Sequence, residues 1–190
     1  ASFSSIYEAK VFQSSNEGTT WTDTGLSIGS SVKILENTVG GATEPGIVRS
    51  PLTGLMVYFR TLTGYIYAQK LSDAYAKVGG EYILMSAANT QSDIKYWESK
   101  NLLVAGRVRM VDNNAIGSNV RKYIDLLSST DGNSWNVIQE VDNVKTDTDW
   151  YVNQPIIFID NERDNLLIGY NKSITEPLYA SLLSKVYSSN

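Results

Sequence analysis

A repeat constrains this chain more than any other feature of it. Tyr123-Ile124-Asp125-Leu126-Leu127-Ser128-Ser129-Thr130-Asp131-Gly132-Asn133-Ser134-Trp135 runs an apolar arm into a Ser/Thr/Asp/Gly turn and opens the return with Trp, which is the pattern of a β-hairpin. The end of the arm, Tyr-x-x-x-Leu-Ser, recurs at Tyr67 to Ser72 and at Tyr179 to Ser184. The turn recurs as Ser14-Ser15-Asn16-Glu17-Gly18-Thr19-Thr20-Trp21. Ser14, Ser72, Ser128 and Ser184 stand 58, 56 and 56 residues apart. A period of that size marks a repeat architecture.

A second register agrees with the first. Gly54-Leu55-Met56-Val57-Tyr58-Phe59-Arg60, Asn101-Leu102-Leu103-Val104-Ala105-Gly106-Arg107 and Asn165-Leu166-Leu167-Ile168-Gly169-Tyr170-Asn171 share a turn residue, an apolar triplet and a late Arg or Asn. Short apolar runs bounded by turn residues suit strands buried on both faces. Glu44-Pro45-Gly46-Ile47-Val48 and Gln154-Pro155-Ile156-Ile157-Phe158 precede two of them, and Asp93-Ile94-Lys95-Tyr96-Trp97 precedes the third. Each unit predicts four strands in an antiparallel meander, one blade of a β-propeller. No stretch predicts a helix.

The turn Ser-x-x-Asp-Gly-x-x-Trp resembles the Asp-box (BNR repeat) of the sialidase-like propeller superfamily, and the resemblance spans essentially the whole chain. Glu44-Pro45, Gly54-Leu55, Arg60-Thr61, Gly64 and Tyr65-Ile66-Tyr67 are similar to a run common in that group. The boxes vary. Counted from Ser128, the box places its Asp131 fourth, ahead of Gly132 and Trp135; the box at Ser14 has Asn16, Gly18 and Trp21 but no Asp; Leu71-Ser72-Asp73 lacks Gly and Trp. The resemblance implies a structural role for these boxes: side-chain oxygens tighten the turn, Gly takes a positive φ and Trp packs between blades.

Composition narrows the function. A net charge of −4, with no basic cluster, argues against nucleic acid or an anionic membrane as partner. No apolar run approaches membrane-spanning length. Without Cys or His the chain has no disulfide, no zinc site of the usual kind, no Cys nucleophile and no Ser-His-Asp triad. No cofactor or metal is expected. Ala1 is not an initiator Met, so removal of a leader or a preceding region is expected.

The whole chain, 1–190, reads as one repeat domain, divided into a partial unit at 1–25, units at 26–88 and 89–142, and a partial unit at 143–190. Residues 26–43 hold a short strand candidate, Val32 to Leu35, and Asp112 to Asn119 is a polar insertion within the third unit. About three blades fall short of the 4–8 of a single-chain ring. The expectation is therefore a homo-oligomer or part of a longer polypeptide.

Candidate ligand residues come from strand ends and aromatics. In sialidase-like propellers strand-end arginines converge on the axis, which the resemblance carries to Arg60 and Arg107, with Glu44 as the glutamate of the Glu-Pro motif. These three suit an acidic sugar, and equally suit an inter-blade salt bridge. Trp150-Tyr151 offers a stacking platform for a sugar ring, with Tyr65, Tyr75, Tyr96 and Trp97 as further exposed aromatics. Asp93, Glu98, Asp112, Asp125 and Glu140 are expected to be solvated. No pair of residues stands out as catalytic. The function expected is a non-catalytic carbohydrate or receptor-recognition module of a surface, secreted or virion protein. A sialidase-like glycoside hydrolase and a purely structural propeller unit are the alternatives.

Overall fold

The computed structural model describes residues 8–28, 42–61, 64–87, 90–110, 121–144, 151–173, 183–184 and 187–188. They are all-β, with no helix among them. Val32 to Leu35, Asp112 to Asn119, Trp150 and Tyr179 lie outside them.

Four antiparallel sheets follow one another along the chain. Sheet I pairs β1 (Ala9–Gln13) with β2 (Thr22–Ile28). Sheet II is the meander β3 (Thr43–Ser50), β4 (Gly54–Arg60), β5 (Tyr65–Leu71), β6 (Lys77–Ser86). Sheet III repeats it with β7 (Asp93–Trp97), β8 (Leu102–Met110), β9 (Arg121–Ser129) and β10 (Asn136–Asn143). In sheet IV, β11 (Tyr151–Asp160) and β12 (Asn165–Ser173) are joined by the short β13 (Leu183–Ser184) and β14 (Tyr187–Ser188).

The sheets are stacked face to face in chain order, because their middle strands are apolar on both faces. In β4, Leu55, Val57 and Phe59 pack on Ala9, Val11 and Ile28 of sheet I. Met56 and Tyr58, on the opposite side, pack with Ile94, Leu103, Ala105 and Leu127 of sheet III. Sheet III repeats the division, turning Val104, Val108, Ile124 and Leu126 toward Ile157, Leu166, Ile168 and Tyr170 of sheet IV. A strand buried on both sides reads as a continuous apolar run, which is what the sequence carries at Leu55 to Phe59.

One end of the stack is closed by turns. In the first box Ser14 Oγ accepts from the Gly18 N–H (2.9 Å) and Asn16 Oδ1 from the Thr20 N–H (2.9 Å). In the later box the serine is Ser129, not Ser128. Ser129 Oγ accepts from the Gly132 N–H (2.8 Å) and donates to Asp131 Oδ1 (3.0 Å), while Ser128 is a strand residue paired with Asn136. Counted from Ser129, Asp131 is third, as Asn16 is from Ser14, and the turn is one residue shorter. Ser72 performs the same service without Gly or Trp, its Oγ accepting from the Ala76 N–H (3.1 Å). Gly132 is fixed by its φ of 72° and by Thr53 of the β3–β4 turn, which a Cβ at 132 would overlap. Trp135 is partly buried against the core between sheets II and III, whereas Trp21, in the box of sheet I, is 64% exposed.

Candidate functional site

The opposite end of the stack collects the starts of β3, β7 and β11 and the ends of β4 and β8. Its organising device is a left-handed residue before proline. Glu44 (φ 49°) precedes Pro45 and Gln154 (φ 47°) precedes Pro155. Each lies at a register shift, between Thr43 and Gly46 in one hairpin and between Asn153 and Ile156 in the other. Non-glycine residues in this region cost energy and persist where their surroundings hold them. Here the holder lies across the strand pair. Glu44 takes a charged hydrogen bond from Arg60 Nε and a second from Nη2 (3.3 Å), while Gln154 Oε1 accepts from Asn171 Nδ2 (2.9 Å). The registers Thr43↔Arg60 and Asn153↔Asn171 make the two pairs equivalent. One repeat braces its bulge with an ion pair and the other with two amides.

The middle repeat differs. β7 has no proline, and Asp93 is buried where three sheets meet. It accepts from Tyr58 Oη of sheet II (3.2 Å) and from the Ile157 N–H of sheet IV (2.8 Å), and pairs with Lys95 (3.3 Å). Burial, with the Asp93 charge beside it, pushes the Tyr58 hydroxyl pKa well above the ordinary range. Arg107 turns to Asp125 on the neighbouring strand (2.6 Å) and to the Ser86 carbonyl (3.2 Å). Asp125 is fully buried and also receives Arg109 Nε (2.8 Å), which reaches on to Glu140 (2.8 Å) and lies 3.9 Å over the Tyr123 ring. Those carboxylates raise the Arg109 pKa, the Asp125 hydrogen bond most of all.

Of the residues singled out in the sequence, Glu44 and Arg60 are brought into contact, and Arg107 takes Asp125 as its carboxylate instead. Arg60 and Glu44 side chains are 16% and 33% exposed, within reach of solvent; Asp125 is not. Tyr151 opens β11, half-buried, with Lys122 Nζ 4.8 Å over its ring. Expectations of exposure fail for acids and for aromatics, Tyr75 and Tyr96 being partly buried against the cores. Asp93 and Asp125 are buried rather than solvated, because each answers donors from neighbouring strands. Trp97 is buried rather than exposed, its Nε1 donating to Asp164 Oδ1 (2.8 Å) in the β11–β12 turn. Lys100 and Ser99 join that carboxylate, and Lys100, Ser99 and Trp97 hold its pKa at about 2.

The Arg109–Asp125–Glu140 cluster escaped the sequence reading. The signal was present: Arg107-Val108-Arg109 faces Tyr123-Ile124-Asp125 in register, Arg107↔Asp125 and Arg109↔Tyr123, so alternate residues of the two strands share one face. No group of three or more Asp or Glu among the described residues forms a metal site. No protein-family model matches the chain, and neither a curated protein nor a solved structure shows significant similarity to it.

Proposed function

We propose that this chain is a non-catalytic recognition module, three consecutive blades of a sialidase-like Asp-box propeller, which binds a carbohydrate on a cell surface or receptor. The binding surface is the end of the stack that carries Glu44–Arg60. One observation carries the reading: the bulge brace is an ion pair in sheet II and a neutral amide pair in sheet IV, with the same φ, the same proline and the same register. Bracing alone is served by amides. A guanidinium and a carboxylate side by side and within reach of solvent suit sugar hydroxyls and a sugar carboxylate. A role outside the cell, on a surface or a virion, goes with such a ligand.

The test is equilibrium binding of the purified chain to acidic and neutral oligosaccharides, with sialoside hydrolysis followed in parallel. Saturable binding that Arg60→Ala weakens about tenfold, with no hydrolysis, is the expected result. Turnover of the sialoside, or binding indifferent to Arg60→Ala, defeats the proposal. Arg107→Ala is the poorer probe, since it takes one of two arginine partners from the buried Asp125.

A further inference from the structure

Repeat-equivalent residues change their burial according to whether a sheet covers their face. The registers Ile47↔Val57 and Ile157↔Ile168 make Ile47 and Ile157 equivalent, both directed at the preceding sheet. Ile157, with sheet III there, is 2% exposed; Ile47, whose preceding sheet has two strands among the described residues, is 52% exposed. Val48 and Phe158 are the next equivalent pair and face the following sheet. Val48 lies under sheet III at 7%, and Phe158 stands at 59% with Ile156 beside it at 64%. The exposed members are therefore the two halves of one more junction of the kind that joins sheets II, III and IV.

We propose that a second copy of this chain completes that junction: the Ile156/Phe158 face of β11 in one copy packs on the Ile47/Arg49 face of β3 in the other, filling the place beside the two-stranded sheet I. The charges agree. At the junction of sheets III and IV, Trp97 belongs to the apolar cluster against which Ile159 packs. Their equivalents across the proposed interface are Asp160 and Arg49, of opposite sign. Within one copy these settle for exposed partners, Arg163 for Asp160 (2.8 Å) and Asp73 for Arg49 (2.7 Å). The contact is head-to-tail, so identical interfaces form a ring where the rotation closes, two chains being the smallest.

This inference rests on the stacking order of the sheets, and its test reads mass, so it fails or stands separately from ligand binding. Light scattering on the purified chain is expected to give at least twice 21.0 kDa. Arg49→Glu and Asp160→Arg are each expected to weaken association about tenfold or more, with an unchanged circular dichroism spectrum. The two changes together are expected to restore it. Because the chain has no cysteine, mixing Ile47→Cys with Phe158→Cys chains gives an intermolecular disulfide if the faces meet. A wild-type monomer means that these faces take further sheets of a longer polypeptide or another part of this chain, and it overturns the proposal. So does an assembly indifferent to both charge reversals.

Discussion

The hairpins β3–β4 and β11–β12 share a backbone and differ in chemistry. Each enters through a left-handed residue before proline, each skips a register step there, and each ties that residue to the end of the next strand. In one the tie is Glu44–Arg60, in the other Gln154–Asn171. The boxes at the opposite end repeat the lesson, with Asp131 in one and Asn16 in the other bonding the same kind of turn. A repeat fixes the position of an acceptor and leaves its charge free. In β8–β9 the charge that is kept answers a buried partner.

The hairpin β8–β9 also shows the largest effect. Asp125 serves Arg107 and Arg109 from a fully buried position. Asp125→Ala is expected to cost about 3–5 kcal/mol in urea unfolding, as loss of one partner strands buried charge. A cost below about 1 kcal/mol would remove the distinction between this pair and the partly buried Glu44–Arg60.

The next comparison sets size against size. Gly46 stands opposite Tyr58, and Ile156 opposite Gly169, so the two hairpins exchange large for small. Tyr58 must pass over Gly46 to reach Asp93, and a Cβ at 46 would overlap its ring. Gly46→Ala is expected to cost about 1–3 kcal/mol. Ile156→Ala, at an exposed position, is expected to cost under about 1 kcal/mol in the dissociated chain.

The smallest effect is one of pH. Hydrogen bonds from the backbone N–H groups of Ser134 and Asn133 hold the Asp131 pKa at about 2, against an ordinary 3.8. A depressed folded-state value adds stability that is fully present above about pH 4 and lost as pH falls toward 2. Asp131→Asn is expected to flatten the unfolding midpoint between pH 4 and 2 by that contribution. An unchanged slope would show that the carboxylate is not held.

The sheets were legible in the sequence because their signals are local: a turn every unit, apolar runs at Leu55, Leu102 and Leu166, and Pro45 and Pro155 ahead of two of them. The box serine was misplaced by one residue because Ser128 and Ser129 are adjacent, and only the Gly132 N–H chooses between them. Glu44 and Arg60 were found through their motif. Asp93 and Asp125 were misjudged, since burial of an acid depends on donors brought by other strands, and Tyr58 is 35 residues distant from Asp93. Trp97 needed the β11–β12 turn for the same reason.

The measurement that bears most directly on the account is the double change Glu44→Gln with Arg60→Asn, which writes the amide brace of sheet IV into sheet II. The fold is expected to hold, with the melting temperature within about 2 °C of wild type, while acidic-oligosaccharide binding falls about tenfold or more. A melting temperature lowered by more than about 5 °C, or binding that survives intact, would contradict the claim that the brace is structural and its charge is for recognition.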